Sequence, residues 1–167
     1  MAGNREAEMA AMLRQGVVVF QEQGLHLYLT FLRGLFAETQ AAAGDAEAAL
    51  ATLGEAIADT ERTGLAWFRS ELHRQRGDIL LSRLPADLGA AEEAFDRALG
   101  DARSQQARSF ELRAALGLTR VYCATGRERA AECLLSPMVA AFNREPDFPE
   151  IAHAQRFLHT VRQAAGC

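Results

Sequence analysis

Apolar residues recur at three- and four-residue spacing along nearly the whole chain, in segments separated by glycine. This is the spacing of amphipathic α-helices, and glycine just past such a segment is the usual left-handed helix stop. Gly24, Gly44 and Gly64 lie 20 residues apart, and Gly126 continues the series three steps later with two extra residues. No β-branched run alternates with polar residues as a strand would. The pattern predicts eight helices, at residues 4–22, 25–43, 46–63, 65–84, 88–105, 107–125, 127–143 and 148–165.

Polar residues at the segment boundaries agree with this division. Asp45 and Asp87 directly precede the third and fifth predicted helices, where an aspartate side chain can accept a hydrogen bond from the first turn. Asp147 and Glu150 have the spacing of a capping box, with Pro149 in the first turn, where a missing N–H costs little. We therefore expect all three aspartates to be helix N-caps.

One proline conflicts with the helical pattern. Pro137 lies inside the seventh predicted helix. Because proline removes one backbone hydrogen bond and its ring clashes with the preceding turn, we expect this helix to kink or break near Ser136.

A second periodicity, of about 40 residues, joins the helices in pairs. A small residue recurs in the first helix of each pair, and a small, a large apolar and a second small residue recur in the second helix. Self-similarity at such a period is typical of helical repeat arrays. Leu13 and Gly16 extend the pattern to the first helix, which therefore corresponds to the second half of a repeat. The matched positions are Ala37, Gly77 and Gly117; Ala49, Ala91 and Ala131; Leu53, Phe95 and Leu135; and Ala56, Ala98 and Met138.

The repeat pattern predicts an all-α solenoid of antiparallel helix hairpins. Small residues let the two helices of a hairpin approach, and the large residue fills the gap to the next hairpin. Each hairpin alone leaves an apolar face uncovered, so stacking stabilises the array. The predicted single domain, residues 1–167, divides into an unpaired second helix at 4–22, repeats at 25–63, 65–105 and 107–143, and a C-terminal capping helix at 148–165.

The charge composition disfavours several partners and chemistries. The net charge is −4 and the pI is about 5.6, so the chain has no general attraction for nucleic acid or an anionic membrane surface. All 18 basic residues are arginine. The absence of lysine excludes a lysine Schiff base and the lysine of a phosphate-binding loop.

The cysteines and the chain start predict a cytoplasmic protein. Cys123, Cys133 and Cys167 are odd in number and lack the spacing of a metal or redox motif, which favours a reducing compartment. The first residues, MAGNREAEMAAMLRQG, contain acids and no continuous apolar segment, so we expect no signal peptide. No apolar run is long enough to cross a bilayer.

Four of the repeat positions carry a family resemblance. Gly77 in a first helix, followed by Ala91, Phe95 and Ala98 in the second, resembles the tetratricopeptide repeat, in a variety with longer helices. The segments 61–81, 107–127 and 133–158 together resemble the C-terminal tails of large bacterial signalling proteins that join a nucleotide cyclase or transcription-regulator domain to an ATPase domain. The resemblance implies a tetratricopeptide-like solenoid that serves as a non-catalytic scaffold or regulatory segment.

The sequence contains no recognisable catalytic or metal-binding motif, and we expect neither an enzyme nor a cofactor. His153 and His159 are six residues apart, which places them on different helix faces. His73 is interpreted as a packed side chain, with a functional role as the alternative. Trp67 and Phe68 are interpreted as core residues, with an exposed anchor for a partner as the alternative.

The resemblance also selects a candidate binding surface, because the first helices of tetratricopeptide hairpins line the concave side of the array. A mixed-charge groove there suits an extended peptide or a helix, held by carboxylate and guanidinium contacts. The alternative for any one residue is a solvated surface position with pairing inside its own helix. The predicted groove residues are Phe31, Gly34 and Glu38; Glu71, Arg74 and Asp78; and Glu111, Ala114 and Leu118, with Arg113 and Arg120 nearby.

Three functional hypotheses follow. The first is a protein-interaction module, a regulatory segment of a larger signalling protein with a protein or peptide partner. The second is a sensor that binds a small ligand or signalling peptide in the superhelical groove. The third is a homodimer formed through the open face of the first helix, at Leu13, Val17 and Phe20.

Overall fold

A computed structural model describes residues 2–83, 85–142 and 149–164, and within these residues the chain is all-α, as predicted. None of the described helices is both long enough and apolar enough to span a membrane. Eight helices follow one another with short connections: α1 (Ala2–Glu22), α2 (His26–Ala42), α3 (Ala46–Thr63), α4 (Arg69–Ser82), α5 (Leu88–Ser104), α6 (Arg108–Ala124), α7 (Glu128–Phe142) and α8 (Pro149–Ala164).

The packing order of the helices is consistent with a solenoid of helical hairpins. Each helix packs against the next one in the chain, and the even-numbered helices α2, α4, α6 and α8 also contact one another in succession. Among the described residues, no helix contacts another that is more than two places away. A closed bundle would bring distant helices together, whereas a file of hairpins gives this neighbour-only pattern.

Helix ends are set by the local signals in the sequence. Gly24, Gly44, Gly64 and Gly126 all have the positive φ that was predicted for left-handed stops. Gln106, which lies 20 residues before Gly126, also has a positive φ, of +55°. A non-glycine residue in this conformation is uncommon, and the glycine pattern alone did not reveal it.

Two of the three predicted caps are confirmed. The carboxylate of Asp45 accepts a hydrogen bond from the Ala48 amide at 3.0 Å, and Asp87 accepts one from the Ala90 amide at 3.0 Å. The predicted cap at Asp147 lies outside the described residues.

The start of α4 differs from the prediction. We expected a helix from residue 65, but residues 65–68 form a turn and the helix begins at Arg69. The indole N–H of Trp67 donates a hydrogen bond of 2.7 Å to the Leu27 carbonyl at the start of α2, 40 residues away. This contact holds the turn against the preceding hairpin. Because helix propensity depends on local sequence, it cannot predict a contact between residues 40 positions apart.

Of the kink or break expected near Ser136, the break does not occur, since α7 is helical on both sides of that residue; a kink stays a prediction. Pro137 is exposed, and so is Cys133, whose carbonyl would have accepted the missing hydrogen bond. Water can satisfy a carbonyl on the solvent side of a helix, so the helix tolerates the proline there.

The core follows the predicted repeat positions. Phe95 of α5 is completely buried between α4 and α6. A Cβ atom added to Gly77 would lie 2.7 Å from the Phe95 ring, and one added to Gly117 would lie 2.2 Å from it. Small residues in two successive first helices thus make room for one large residue of the helix between them. The equivalent residues Leu53 and Leu135 are also fully buried.

Candidate functional site

A continuous set of ion pairs crosses the four even-numbered helices. We call this set the ion-pair network. It joins α2 to α4, α4 to α6 and α6 to α8, so that side chains far apart in the sequence form one polar surface. Its members are Glu38, Glu71, Arg74, Gln75, Asp78, Arg113, Arg120 and Glu150.

Arg74 is the centre of the network. Its Nε donates to Glu71 Oε2 at 3.1 Å, its Nη2 lies 3.5 Å from Glu38 Oε1, and its Nη1 pairs with Asp78. The Gln75 amide donates to the same Glu38 oxygen at 2.9 Å. One guanidinium therefore links three carboxylates, and its planar fork of donors is suited to this arrangement.

Two further arginines extend the network from α4 to α6 and α8. Arg113 lies 3.4 Å from Glu71 Oε2 and donates to Glu150 Oε1 at 2.7 Å, and Arg120 pairs with Asp78. Burial would lower the pKa of Arg113, but the hydrogen bond to Glu150 and the charge of Glu71 outweigh it and raise this pKa. The hydrogen bond from Arg113 in turn lowers the pKa of Glu150.

Glu71 is the most deeply placed carboxylate of the network. The residue is only 3% exposed, and both of its arginine contacts go to Oε2. Its Oε1 is buried without a hydrogen-bond partner, and the same is true of Gln75 Oε1. A buried carboxylate needs its cations nearby, so this site depends on Arg74 and Arg113.

An aromatic cluster lies beside the N-terminal ends of α2, α4 and α6. The ring of Phe68 is in edge contact with Phe31 at 5.3 Å and with Phe110 at 6.2 Å, and Trp67 packs against Phe68 at 5.2 Å. Arg113 extends over the Phe110 ring, which connects the cluster to the ion-pair network. Phe68 is buried, as the core interpretation predicts, whereas Trp67 is 38% exposed.

Exposed apolar residues surround this cluster. Phe31 is 36% exposed and Tyr28 is 55% exposed, and Leu27, whose carbonyl binds Trp67, is also exposed. Adjacent exposed large side chains of this kind mark interaction surfaces more often than isolated ones do. We call the exposed residues Leu27, Tyr28, Phe31 and Trp67 the aromatic patch.

Two open cavities adjoin the ion-pair network. One of about 410 Å³ lies beside Glu38, Gln75, Asp78 and Arg120. Another of about 450 Å³ lies between α6 and α8, with Leu112, Phe142 and Ile151 on its apolar side and polar residues on its rim. The described residues include no group of three or more His, Cys, Asp or Glu side chains placed to hold a metal ion.

Most of the residues predicted for the groove are found together. Glu38, Glu71, Arg74, Asp78, Arg113 and Arg120 belong to the ion-pair network, and Phe31 belongs to the aromatic patch. Gly34 packs closely against Gln75 and Phe68. Gln75 and Glu150 were not predicted as members. Gln75 directly follows Arg74 in the sequence, while the sequence predicts Glu150 only as a capping residue.

The predicted lining of α6 is wrong in part. Ala114 and Leu118 are buried in the core around Phe95, and Glu111 pairs with Arg103 of α5. The network-facing residues of α6 are Arg113 and Arg120, because a helix rotates by about 100° per residue and a two-residue offset selects a different face. The repeat alignment therefore predicts which helices pair, but it does not predict which residues of α6 face the ion-pair network.

The first helix presents a different apolar surface from the predicted one. Leu13, Val17 and Phe20 are half-buried, whereas Met9, Met12, Val18 and Val19 are exposed. A homodimer through the face of α1 that carries Leu13, Val17 and Phe20 stays a prediction.

His73 lies outside the ion-pair network, buried between α4 and α5. Its Nε2 is 3.8 Å from Asp101 Oδ2, and the same Asp101 accepts a 2.9 Å hydrogen bond from Arg69. Burial lowers the pKa of His73 below its ordinary value of 6.5; the charge of Asp101 opposes this effect, while neighbouring arginines add to it. His73 is therefore neutral in the folded chain near pH 7.

Stability should consequently decrease as the pH falls through about 6.5, the ordinary pKa of histidine. Below this pH the unfolded chain binds a proton at His73 more readily than the folded chain, whose His73 pKa is lowered, so protonation favours unfolding. The expected loss is up to about 1.4 kcal/mol for each unit between the two pKa values. Urea unfolding at pH values above and below about 6.5 measures it. His73→Gln should flatten the dependence and His26→Gln, at an exposed position, should leave it unchanged; equal slopes in all three proteins would contradict the prediction.

Comparison of the chain with protein-family models finds none that matches, and comparison with curated proteins finds no match.

Proposed function

We propose that this protein is a non-catalytic protein-interaction module that binds a peptide segment of a partner along the even-numbered helices. The observation that supports this proposal is the ion-pair network, which spans four helices and lies next to the half-exposed aromatic patch. A long polar surface with an aromatic patch at one side suits a segment that is held at several points along its length.

The charges of the network favour a partner that carries both signs. The more exposed members are Glu38, Arg113, Arg120 and Glu150, with side-chain exposures of 47%, 38%, 47% and 39%. Each of them is already paired within the chain, so a partner has to exchange one ion pair for another. Such exchange contributes more to specificity than to affinity.

The aromatic patch would supply most of the affinity. Trp, Tyr and Phe side chains bury large areas with little loss of conformational freedom, and they dominate measured binding hot spots. Trp67 is fixed by its hydrogen bond to the Leu27 carbonyl, so its ring is oriented before a partner arrives. The expected peptide therefore has an apolar anchor residue, which would bind the aromatic patch, followed by charged residues, which would bind the ion-pair network.

The wider setting rests on the family resemblance. We propose that the chain is a tetratricopeptide segment of a larger bacterial signalling protein with cyclase-linked or ATPase-linked domains, and that it acts in the cytoplasm. Its function there would be to recruit or position a protein partner, with no nucleic acid or membrane involved.

A small-ligand sensor is the second candidate. The cavity of about 450 Å³ between α6 and α8 favours it, because its size, its apolar side and its charged rim at Arg113 and Glu150 fit a small molecule. In this case the ligand would contact α8 rather than the aromatic patch at α2.

Selection of a random peptide library against the immobilised chain tests the first proposal. Enriched peptides are then measured by fluorescence anisotropy against the wild type, Trp67→Ala, Arg120→Glu and the control Arg156→Glu, which changes an exposed residue of α8. We expect Trp67→Ala in the aromatic patch and Arg120→Glu in the ion-pair network each to weaken binding by about tenfold or more. The control Arg156→Glu should have no effect. Enriched peptides that bind all four proteins equally would contradict the proposal. Failure of selection, combined with a metabolite that stabilises the wild type and not Arg113→Ala, would favour the sensor.

A further inference from the structure

A small polar pocket lies between α4 and α5, away from the ion-pair network. Its volume is about 190 Å³, and its walls include His73 and Arg76 of α4 and Glu93 and Arg97 of α5. At 100° per residue, His73 and Arg76 are on the opposite side of α4 from Glu71. The pocket is therefore a separate site, with its own ligand chemistry.

The pocket carries an excess of positive charge. Arg76 is half-buried, and its side chain makes no hydrogen bond or ion pair with the described residues. Arg97 pairs with Glu93 one turn earlier in α5, and both of these side chains are largely exposed. The pocket wall thus holds two guanidinium groups and one carboxylate, and that carboxylate pairs with the more exposed guanidinium, of Arg97.

His73 is part of the pocket wall, but its unpartnered ring nitrogen is buried behind the pocket surface. Its side chain is 8% exposed, and its Nδ1 is buried without a hydrogen-bond partner. When the neutral ring carries its proton on Nε2, towards Asp101, Nδ1 can only accept a hydrogen bond. When the ring is doubly protonated, Nδ1 becomes a donor. An anion in the pocket would favour that protonated form. The charged groups around the ring are Asp101 and Arg97 from α5 and Arg69 and Arg76 from α4.

We propose that this pocket binds a small tetrahedral oxyanion, either inorganic phosphate or the phosphate group of a small phosphomonoester, between Arg76 and Arg97. The guanidinium group is the side chain best suited to phosphate oxygens, because it offers parallel donors in a fixed plane. The volume of about 190 Å³ accommodates a phosphate group. Glu93 already pairs with Arg97, so it competes with the anion for the same cation.

Titration of the full-length ¹⁵N-labelled chain with sodium phosphate tests this site, with sodium chloride added to hold the ionic strength constant. We expect saturable amide shifts confined to residues 73–76 and 93–97. A parallel titration with glycerol phosphate distinguishes the free ion from a phosphomonoester as the preferred ligand. A pH titration of the His73 ring gives a further readout. Sulfate is the anion for it, because its charge is constant near neutral pH, and bound sulfate should raise the pKa of His73 by favouring the protonated imidazole.

Three variants separate a built site from general attraction to arginine. Arg76→Gln should weaken phosphate binding by about tenfold, as the loss of a charge-assisted hydrogen bond predicts. Glu93→Gln should strengthen it by about twofold or more, because it releases Arg97. The control Arg156→Gln, at an exposed position of α8, should change nothing. Shifts that stay linear with concentration, or that are the same in Arg76→Gln and wild type, would overturn the proposal.

Discussion

Phe95→Ala should lower the free energy of unfolding by about 3–5 kcal/mol, the range that is typical for truncating a buried aromatic residue. The Phe95 ring is fully buried and fills the space between α4 and α6. Its removal leaves a cavity at the junction of two successive hairpins, and an array whose stability comes from stacking is most sensitive there. Urea unfolding monitored by circular dichroism measures the change.

A second substitution, Gly117→Ala, tests whether the Phe95 ring fills this gap. Its effect on the free energy of unfolding should change sign when the ring is removed. Gly117→Ala should destabilise the wild type by about 1–3 kcal/mol, because the new methyl group would meet the Phe95 ring at 2.2 Å. In the Phe95→Ala background the same change should be stabilising, since the methyl group then occupies the cavity and alanine favours the helix. Gly100→Ala, in an exposed helical position with no atom within 4 Å, should stabilise both backgrounds by up to about 1 kcal/mol. Destabilisation by Gly117→Ala in both backgrounds would contradict this account of the packing.

Local signals in the sequence were sufficient for most of the fold. Left-handed glycines, such as Gly64, and the Asp45 and Asp87 caps are determined by residues within one turn of the helix end, so they appear in the sequence itself. The repeat positions around Phe95 are visible because one steric requirement recurs in each hairpin. The late start of α4 was not predictable, because it depends on the contact between Trp67 and Leu27, 40 residues apart.

The candidate site was predictable in part for a related reason. Repeat alignment places Glu38, Arg74 and Asp78 on one side of α2 and α4, and their pairing follows from opposite charges at adjacent positions. It does not determine how far α6 is rotated, so Leu118 was placed on the surface although it is buried. Glu150 lies in α8, beyond the last complete repeat, where the alignment has no equivalent position.

Arg74→Leu should be the most damaging single change in the ion-pair network, with a loss of about 3 kcal/mol of stability. Glu71 is buried and would retain only its 3.4 Å contact with Arg113, whereas Asp78 keeps Arg120 and Glu38 keeps Gln75. The cost therefore comes from the carboxylate of Glu71, which stays buried with one arginine contact instead of two. Urea unfolding at pH 7 measures the loss.

The double variant Glu71→Leu/Arg74→Leu should be much less destabilised than the sum of the single variants, because removing both partners leaves no buried charge. Arg62→Leu is the matched control, since this arginine is 67% exposed and its partner Asp59 keeps Arg33; it should change stability by less than about 0.5 kcal/mol. If Arg74→Leu were no more damaging than this control, the buried carboxylate would not depend on Arg74, and the ion-pair network would be only a solvated surface.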